Sequence, residues 1–231
     1  MAGPIRHSAN VPDFYESFFS SPDCSDAGLG PSQAYPPHTE ILRQDTPARM
    51  VYFVERGVLK LSRIESSGRE FIAGLRHRHW IIGVPAVFLG KQYSFTVTTL
   101  TSSSLRSISA ENFLNLVETD RELCRQMLTM LSQEIFKQGK NFGNLGCLPA
   151  IDRLKQLLYD IIIEVQGSAD LKQQVKIMVP LKHKEIAQMI AITPEHLSRL
   201  LKALEGEGLI RRDGNWLTVR DTEGLKSSLG M

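Results

Sequence analysis

The sequence predicts an α+β chain: an N-terminal antiparallel β-domain, a long amphipathic helix, and a C-terminal helical domain ending in a β-hairpin. Three observations predict it. Between about residues 38 and 110 apolar side chains recur at every second position in short runs. From residue 111 the period becomes helical. After residue 150 further helical runs lead to the hairpin signal Asp213-Gly214-Asn215.

The 231 residues suffice for two ordinary domains, and 42% apolar with 23% charged residues is the composition of a globular chain with a real core. This excludes a disordered chain, a collagen-like repeat and a disulfide scaffold. The formal net charge of +2 does not by itself announce a nucleic-acid partner. No stretch approaches the roughly 20 apolar residues of a membrane helix, so no membrane partner is expected. The start MAGPIRHSAN lacks a secretory pattern. The cysteines Cys24, Cys124 and Cys147 are widely spaced and form no CxxC. A reduced, cytoplasmic compartment is expected.

Residues 1–34, with Pro4, Pro12, Pro22 and Pro31, read as a loosely held lead-in in which only Phe14 to Phe19 could dock as a short helix. Residues 35–110 hold the strand-like runs TEILR, MVYFV, GVLKLSRI, REFIAGL, YSFTVTTL and SLRSIS. Turn signals at Asp45-Thr46-Pro47, Arg56-Gly57 and Ser66-Ser67-Gly68 separate them, which predicts a compact antiparallel sandwich or barrel. Gly83 to Gly90 is the one non-strand interruption.

Residues 111–146 return to a helical period. Leu123, Met127, Met130, Leu131 and Ile135 form a narrow stripe suited to a partner helix, and predict a homodimer interface. Residues 147–231 form the second domain, opening on an amphipathic helix with Ile151, Leu154, Leu157, Leu158 and Ile161, followed by a polar loop from Gly167 to Gln174.

Residues Leu181 to Ile210 carry most of the function. A first helix buries Ile186, Ala187 and Ile190; Ala191-Ile192 turns the chain; Thr193 caps a second helix with Pro194 at its first position. The second helix buries Leu197, Leu200, Leu201 and Leu204, and presents Glu195, Ser198, Arg199 and Lys202 at i, i+3, i+4, i+7. That is a helix-turn-helix with an acceptor, a hydroxyl and a guanidinium near the N-terminus of its second helix, where recognition helices touch base edges. Arg199 suits a guanine, Glu195 an exocyclic amine, and Ser198 either kind of edge. The following hairpin would be a wing whose Arg211 and Arg212 approach phosphates.

These motifs have a family likeness. Phe53-x₃-Gly57-x-Leu59-Lys60-Leu61, Ser67-Gly68-Arg69-Glu70 and Thr193-Pro194-Glu195-His196-Leu197-Ser198-Arg199-Leu200-Leu201 resemble the CRP/FNR superfamily of bacterial transcription regulators. The resemblance implies a β-roll sensor domain of cyclic-nucleotide-binding type, a long dimerisation helix and a winged helix-turn-helix. It also implies a two-fold symmetric DNA site, with RNA polymerase as a further partner. The Glu-x-x-Ser-Arg spacing resembles the FNR-type reader of TTGAT-like half-sites. Thr193, His196, Lys182 and His183 are then expected at or near the DNA backbone, with Lys202. Lys182 stands where the family has a capping Ser or Thr, and Ala191 where it has a turn glycine, so a strained turn is expected there if it needs positive φ.

The effector pocket implied by the resemblance maps to Gly83, Val84, Pro85, Ala86, Tyr93 and Ser94. Members that bind cyclic nucleotides carry a ribose-binding glutamate where Val84 stands and a phosphate-binding arginine where Tyr93 stands, which disfavours a cyclic nucleotide here. Three cysteines are too few for an FNR-type 4Fe-4S cluster. A haem would need axial ligands from Cys24, His38, His77 or His79, and the His77-Arg78-His79 run reads as an exposed turn; an apolar ligand or none is preferred, and no metal site is expected. No nucleophile elbow, P-loop or HExxH marks an enzyme. The expected function is a homodimeric DNA-binding transcription regulator that does not answer to cyclic AMP. The alternative is a haem or small-molecule sensor whose winged helix contacts protein.

Overall fold

The computed structural model describes residues 28–166, 174–214, 216–220, 222 and 225. The expected helix at Phe14 to Phe19, Cys24, Asn215 and most of the Gly167–Gln174 loop lie outside these residues.

The N-terminal domain is two facing antiparallel sheets. One is ordered β1 (Gln33–Tyr35), β8 (Ser103–Ser109), β3 (Met50–Arg56), β6 (Ile81–Ile82); the other β2 (Glu40–Leu42), β7 (Thr96–Thr99), β4 (Leu59–Ile64), β5 (Glu70–Arg76). Alternation along β3 and β4 turns Val51, Phe53, Leu59 and Leu61 into the interior, the arrangement a half-buried strand dictates. The β-domain takes in residues before the expected boundary at residue 34, since Gln33 and Ala34 pair with β8. The β3–β4 turn needs Gly57: its φ is 101°, and a Cβ there would stand 2.7 Å from Ser103 Cα.

The interruption at Gly83 is the short helix α1 (Val84–Phe88). Two helices then close the domain, α2 (Ala110–Thr119), capped by Ser109, and α3 (Arg121–Cys147), capped by the Asp120 carboxylate, which accepts from the backbone of Glu122 and Leu123.

The C-terminal domain runs α4 (Ala150–Gln166), β9 (Val175–Met178), α5 (His183–Met189), α6 (Pro194–Gly206), β10 (Ile210–Asp213) and β11 (Trp216–Val219). The expected hairpin is present, but β9 adds a third strand on its β11 edge. Arg153 of α4 staples the domain entrance, donating to the carbonyls of Leu148 (2.7 Å) and Ile190 (3.0 Å), which the ends of α3 and α5 leave without helical partners.

The two domains touch through β5 and α5. Leu75 and Leu100 join the C-terminal core, and Lys60 on β4 bridges Glu185 of α5 (2.6 Å) and Glu70 of β5 (2.9 Å).

The face of α3 that meets its own domain differs from the expectation. Leu123, Met127 and Met130 are 0%, 3% and 8% exposed and pack with Val51, Phe53 and Phe113 of the same chain, with Leu131 partly buried beside them. Of the expected stripe only Ile135 projects outward, at 72% exposure. The physical reason is that α3 has two apolar faces. The other carries Leu128, Ile135 and Phe142, seven residues apart, with Ser132 and Gly139 between them and Gly146 beyond.

The His77–His79 turn also departs from an exposed basic cluster, since His77 and His79 are half-buried and only Arg78 is exposed. His77 Nε2 accepts from Trp80 Nε1 at 3.1 Å. Burial, then the charges of Lys137 and Arg76, push the His77 imidazole down to about 4. A histidine depressed in the fold binds its proton more readily when unfolded, so its stabilising share is complete above about pH 6.5 and is lost as pH falls toward 4. We expect His77→Gln to flatten the loss of stability between these pH values by about 2–3 kcal/mol, read from urea melts.

Candidate nucleic-acid interface and sensor cavity

The helix-turn-helix is built by local rules. Glu185 Oε2 accepts from the backbone N–H of Lys182 at 2.8 Å, so the first helix gains half of a capping box although Lys182 offers no capping oxygen. The turn places Ala191 at φ 54°, the left-handed conformation that its missing glycine implies, and stores modest strain there. Thr193 Oγ1 caps α6 by accepting from His196 N at 3.2 Å.

Packing of Leu197, Leu201 and Leu204 into the domain core fixes the rotation of α6. Glu195, Arg199 and Lys202 consequently stand exposed on the opposite face, with Ser198 half-buried between them and donating to the Pro194 carbonyl at 3.1 Å. The Glu195 carboxylate is held below the usual glutamate range, first by its own backbone N–H, then by the Thr193 hydroxyl, with the charge of Arg199 adding to both. An ionised acceptor and a guanidinium therefore sit preset on the first turns of the helix. Lys182 and His183 are exposed at the start of α5; Thr193 is occupied as a cap, and His196 is half-buried.

The wing separates its two arginines. Arg212 turns inward, donating to Glu205 Oε2 at 2.8 Å, because alternate side chains of β10 face opposite sides of the sheet. Arg211 points outward and sits in register with Thr218, which pairs with Lys176 of β9. Arg211, Thr218 and Lys176 thus form one cross-strand row. Lys176 carried no sequence signal, since β9 is too short for a period to show.

The expected effector residues are only partly brought together. Gly83, Pro85, Ala86, Tyr93 and Ser94 line a cavity of 390 Å³ between the sheet of β4 and β5 and the helix α3. Val84 does not; it is 0% exposed and packs with Val51 and Phe113 in the core. The cavity side of α1 is therefore Pro85 and Ala86, which offer no side-chain acceptor. Gly83 is required at φ 96°, because a Cβ would meet the Met50 carbonyl at 2.8 Å. The Tyr93 hydroxyl is committed to the same residue, donating to Met50 O at 2.6 Å and accepting from Met50 N at 2.9 Å.

Arg76, Trp80 and Glu134 complete the cavity without having been legible in the sequence. Arg76 donates to Glu134 Oε1 of α3 at 2.7 Å and stacks over the Trp80 ring at 4.2 Å. Among the described residues no group of His, Cys, Asp and Glu could hold a metal ion.

Residues 32–120 match the cyclic nucleotide-binding domain profile, and residues 152–228 the Crp-like helix-turn-helix domain. The two profiles follow one another in the order of the two domains. The chain belongs to the CRP/FNR superfamily. It is 22% identical over 189 residues to the cAMP-activated global transcriptional regulator CRP of Salmonella typhimurium, covering 81% of this chain and 89% of that protein. The structure of FixK2 from Bradyrhizobium japonicum superposes with a TM-score of 0.73 at 20% identity, over 85% of this chain and 96% of that one. The c-di-GMP-responsive regulator CLP of Xanthomonas campestris gives 0.70 at 22% identity, over 85% and 97%. This CRP/FNR chain is a transcription regulator with a helix-turn-helix DNA-binding domain. No helix among its described residues is long and apolar enough to cross a membrane.

Proposed function

We propose that this CRP/FNR regulator works as a homodimer, reads a two-fold symmetric TTGAT-like site through Glu195, Ser198 and Arg199, and does not answer to cyclic AMP. The observation that carries the reading is that these three side chains share one face on the N-terminal half of α6, with Glu195 and Arg199 exposed and Ser198 half-buried between them. Lys202, Lys182, His183 and the row Arg211–Thr218–Lys176 supply the sequence-blind phosphate contacts.

The free seam of α3 supports the dimer. Leu128, Ile135 and Phe142 present large apolar side chains to solvent, and a Cβ built on Gly139, Gly143 or Gly146 meets nothing within 4 Å, which leaves room for a second helix backbone. A second copy of α3 suits this surface because a two-fold axis places identical seams face to face.

The reading is tested by titrating the full-length protein with a palindromic and a scrambled duplex at two salt concentrations. Selective, salt-dependent binding is expected. Lys202→Ala and Arg211→Ala should each weaken both duplexes alike and lower the salt slope by about 1, since they act on phosphates. A protein-contact role for the wing draws on the half-exposed pair Trp216 and Met178, opposite one another on β11 and β9. Equal binding to both duplexes would favour it.

Cyclic AMP fits the cavity poorly. Pro85 and Ala86 offer nothing to a ribose hydroxyl, and the guanidinium of Arg76 is already neutralised by Glu134. A cyclic phosphate would shed its water without a free cation to replace it. Millimolar cyclic AMP or cyclic GMP is expected to leave both the melting temperature and the DNA affinity unchanged; a saturating ligand would add about 2.7 kcal/mol at a hundredfold its dissociation constant.

A further inference from the structure

The cavity's polar end is a single coupled group. Glu134 Oε1 accepts from Arg76 at 2.7 Å and from Gln138 Nε2 at 2.8 Å, while Glu134 Oε2 is buried and has no hydrogen-bond partner among the described residues. The Arg76–Glu134 pair is mostly shielded, with side chains 14% and 18% exposed. A buried carboxylate oxygen without a donor is costly, and it calls for an O–H or N–H. It does not call for an anion, because Arg76 has its counter-charge already. Apart from Ser94, the remaining walls are mainly apolar or aromatic, with Leu42, Leu61, Phe71, Phe95, Val97 and Met130 among them. At 390 Å³ the space lies at the small end of the range for small-molecule sites, roughly 300–1,000 Å³.

We propose that this cavity takes an uncharged, flat aromatic molecule bearing one O–H or N–H donor. The ring lies among the apolar walls and the donor bonds Glu134 Oε2. Because Glu134 belongs to α3, the helix whose outer seam faces the second copy, the ligand's donor acts directly on the element that joins the two subunits. The inference deepens the reading that the sensor does not answer to cyclic nucleotides, and supplies the class of ligand that would replace them.

The test uses four probes on the full-length protein: 2-naphthol, 2-methoxynaphthalene, 2-naphthoate and cyclic AMP. Binding is followed by calorimetry and by the emission of Trp80 in a Trp216→Phe background, which leaves Trp80 as the single indole of the chain. 2-Naphthol should bind at least about tenfold more tightly than its methyl ether, which has the same ring but no donor, and more tightly than the naphthoate anion. Glu134→Gln removes the counter-charge of Arg76, so the order should reverse in favour of 2-naphthoate. The wild-type series decides the matter even if that variant fails to fold. Equal binding of 2-naphthol and its ether, no binding of either, or preference of the wild type for naphthoate would overturn the proposal. Tight binding of cyclic AMP would instead overturn the nucleotide-independent reading on which it rests.

Discussion

Replacing Arg199 with alanine is expected to cost about 1–3 kcal/mol of specific binding per half-site and to erase the preference for one guanine there. Arg199 is exposed, one turn beyond Glu195, whose carboxylate its charge helps to hold below the usual glutamate range. Non-specific affinity should change little by comparison, because the phosphate contacts are proposed to lie on Lys202, Lys182 and the wing row. Competition titrations against single-base variants of the palindrome measure this. Arg199→Ala binding that still discriminates at every base position would mean that α6 meets DNA with a different face.

The second large effect separates the two faces of α3. Ile135→Glu places a carboxylate at the centre of the outer seam, where two copies would bring like charges together near the two-fold axis. The variant should sediment as a monomer with near-native folding stability, and its affinity for the palindrome should fall by about 10²–10⁴-fold as the second half-site ceases to be held in place. Met130→Glu should behave differently. Met130 is 8% exposed against the β-domain, so a charge there is buried within one chain and should cost several kcal/mol of folding stability. Dimer loss in Met130→Glu with an unchanged melting temperature, or a stable dimer of Ile135→Glu, would contradict the assignment of faces.

Periodicity made much of the fold legible. Alternation in MVYFV and GVLKLSRI placed β3 and β4, and Thr193-Pro194 placed the start of α6, because these signals arise within a few neighbouring residues. The faces of α3 were not legible in the same way. A helix with apolar residues on two sides shows its period but not which side meets its own domain, and that choice is made by Val51, Phe53 and Phe113, remote in sequence. Val84 shows the same limit. The family resemblance maps it to the effector pocket, yet the left-handed Gly83 turns the first residue of α1 into the core and leaves Pro85 and Ala86 facing the cavity. Arg212 was one residue from Arg211, and strand alternation alone separates their directions. The Arg76–Glu134 pair joins residues 58 apart with no motif around either. The exposed face of α6 was the most legible feature, since its helix is short, capped and amphipathic enough to fix its own rotation.

The central claim, that two copies of α6 read a symmetric DNA sequence through Glu195, Ser198 and Arg199, is met most directly by selecting bound duplexes from a fully randomised pool with the wild-type protein. The expected product is a two-fold symmetric consensus of TTGAT-like half-sites, centred roughly 10–10.5 base pairs apart so that both recognition helices enter the same face of the duplex. A pool that gains no consensus, or a single asymmetric site with no second half, would contradict it.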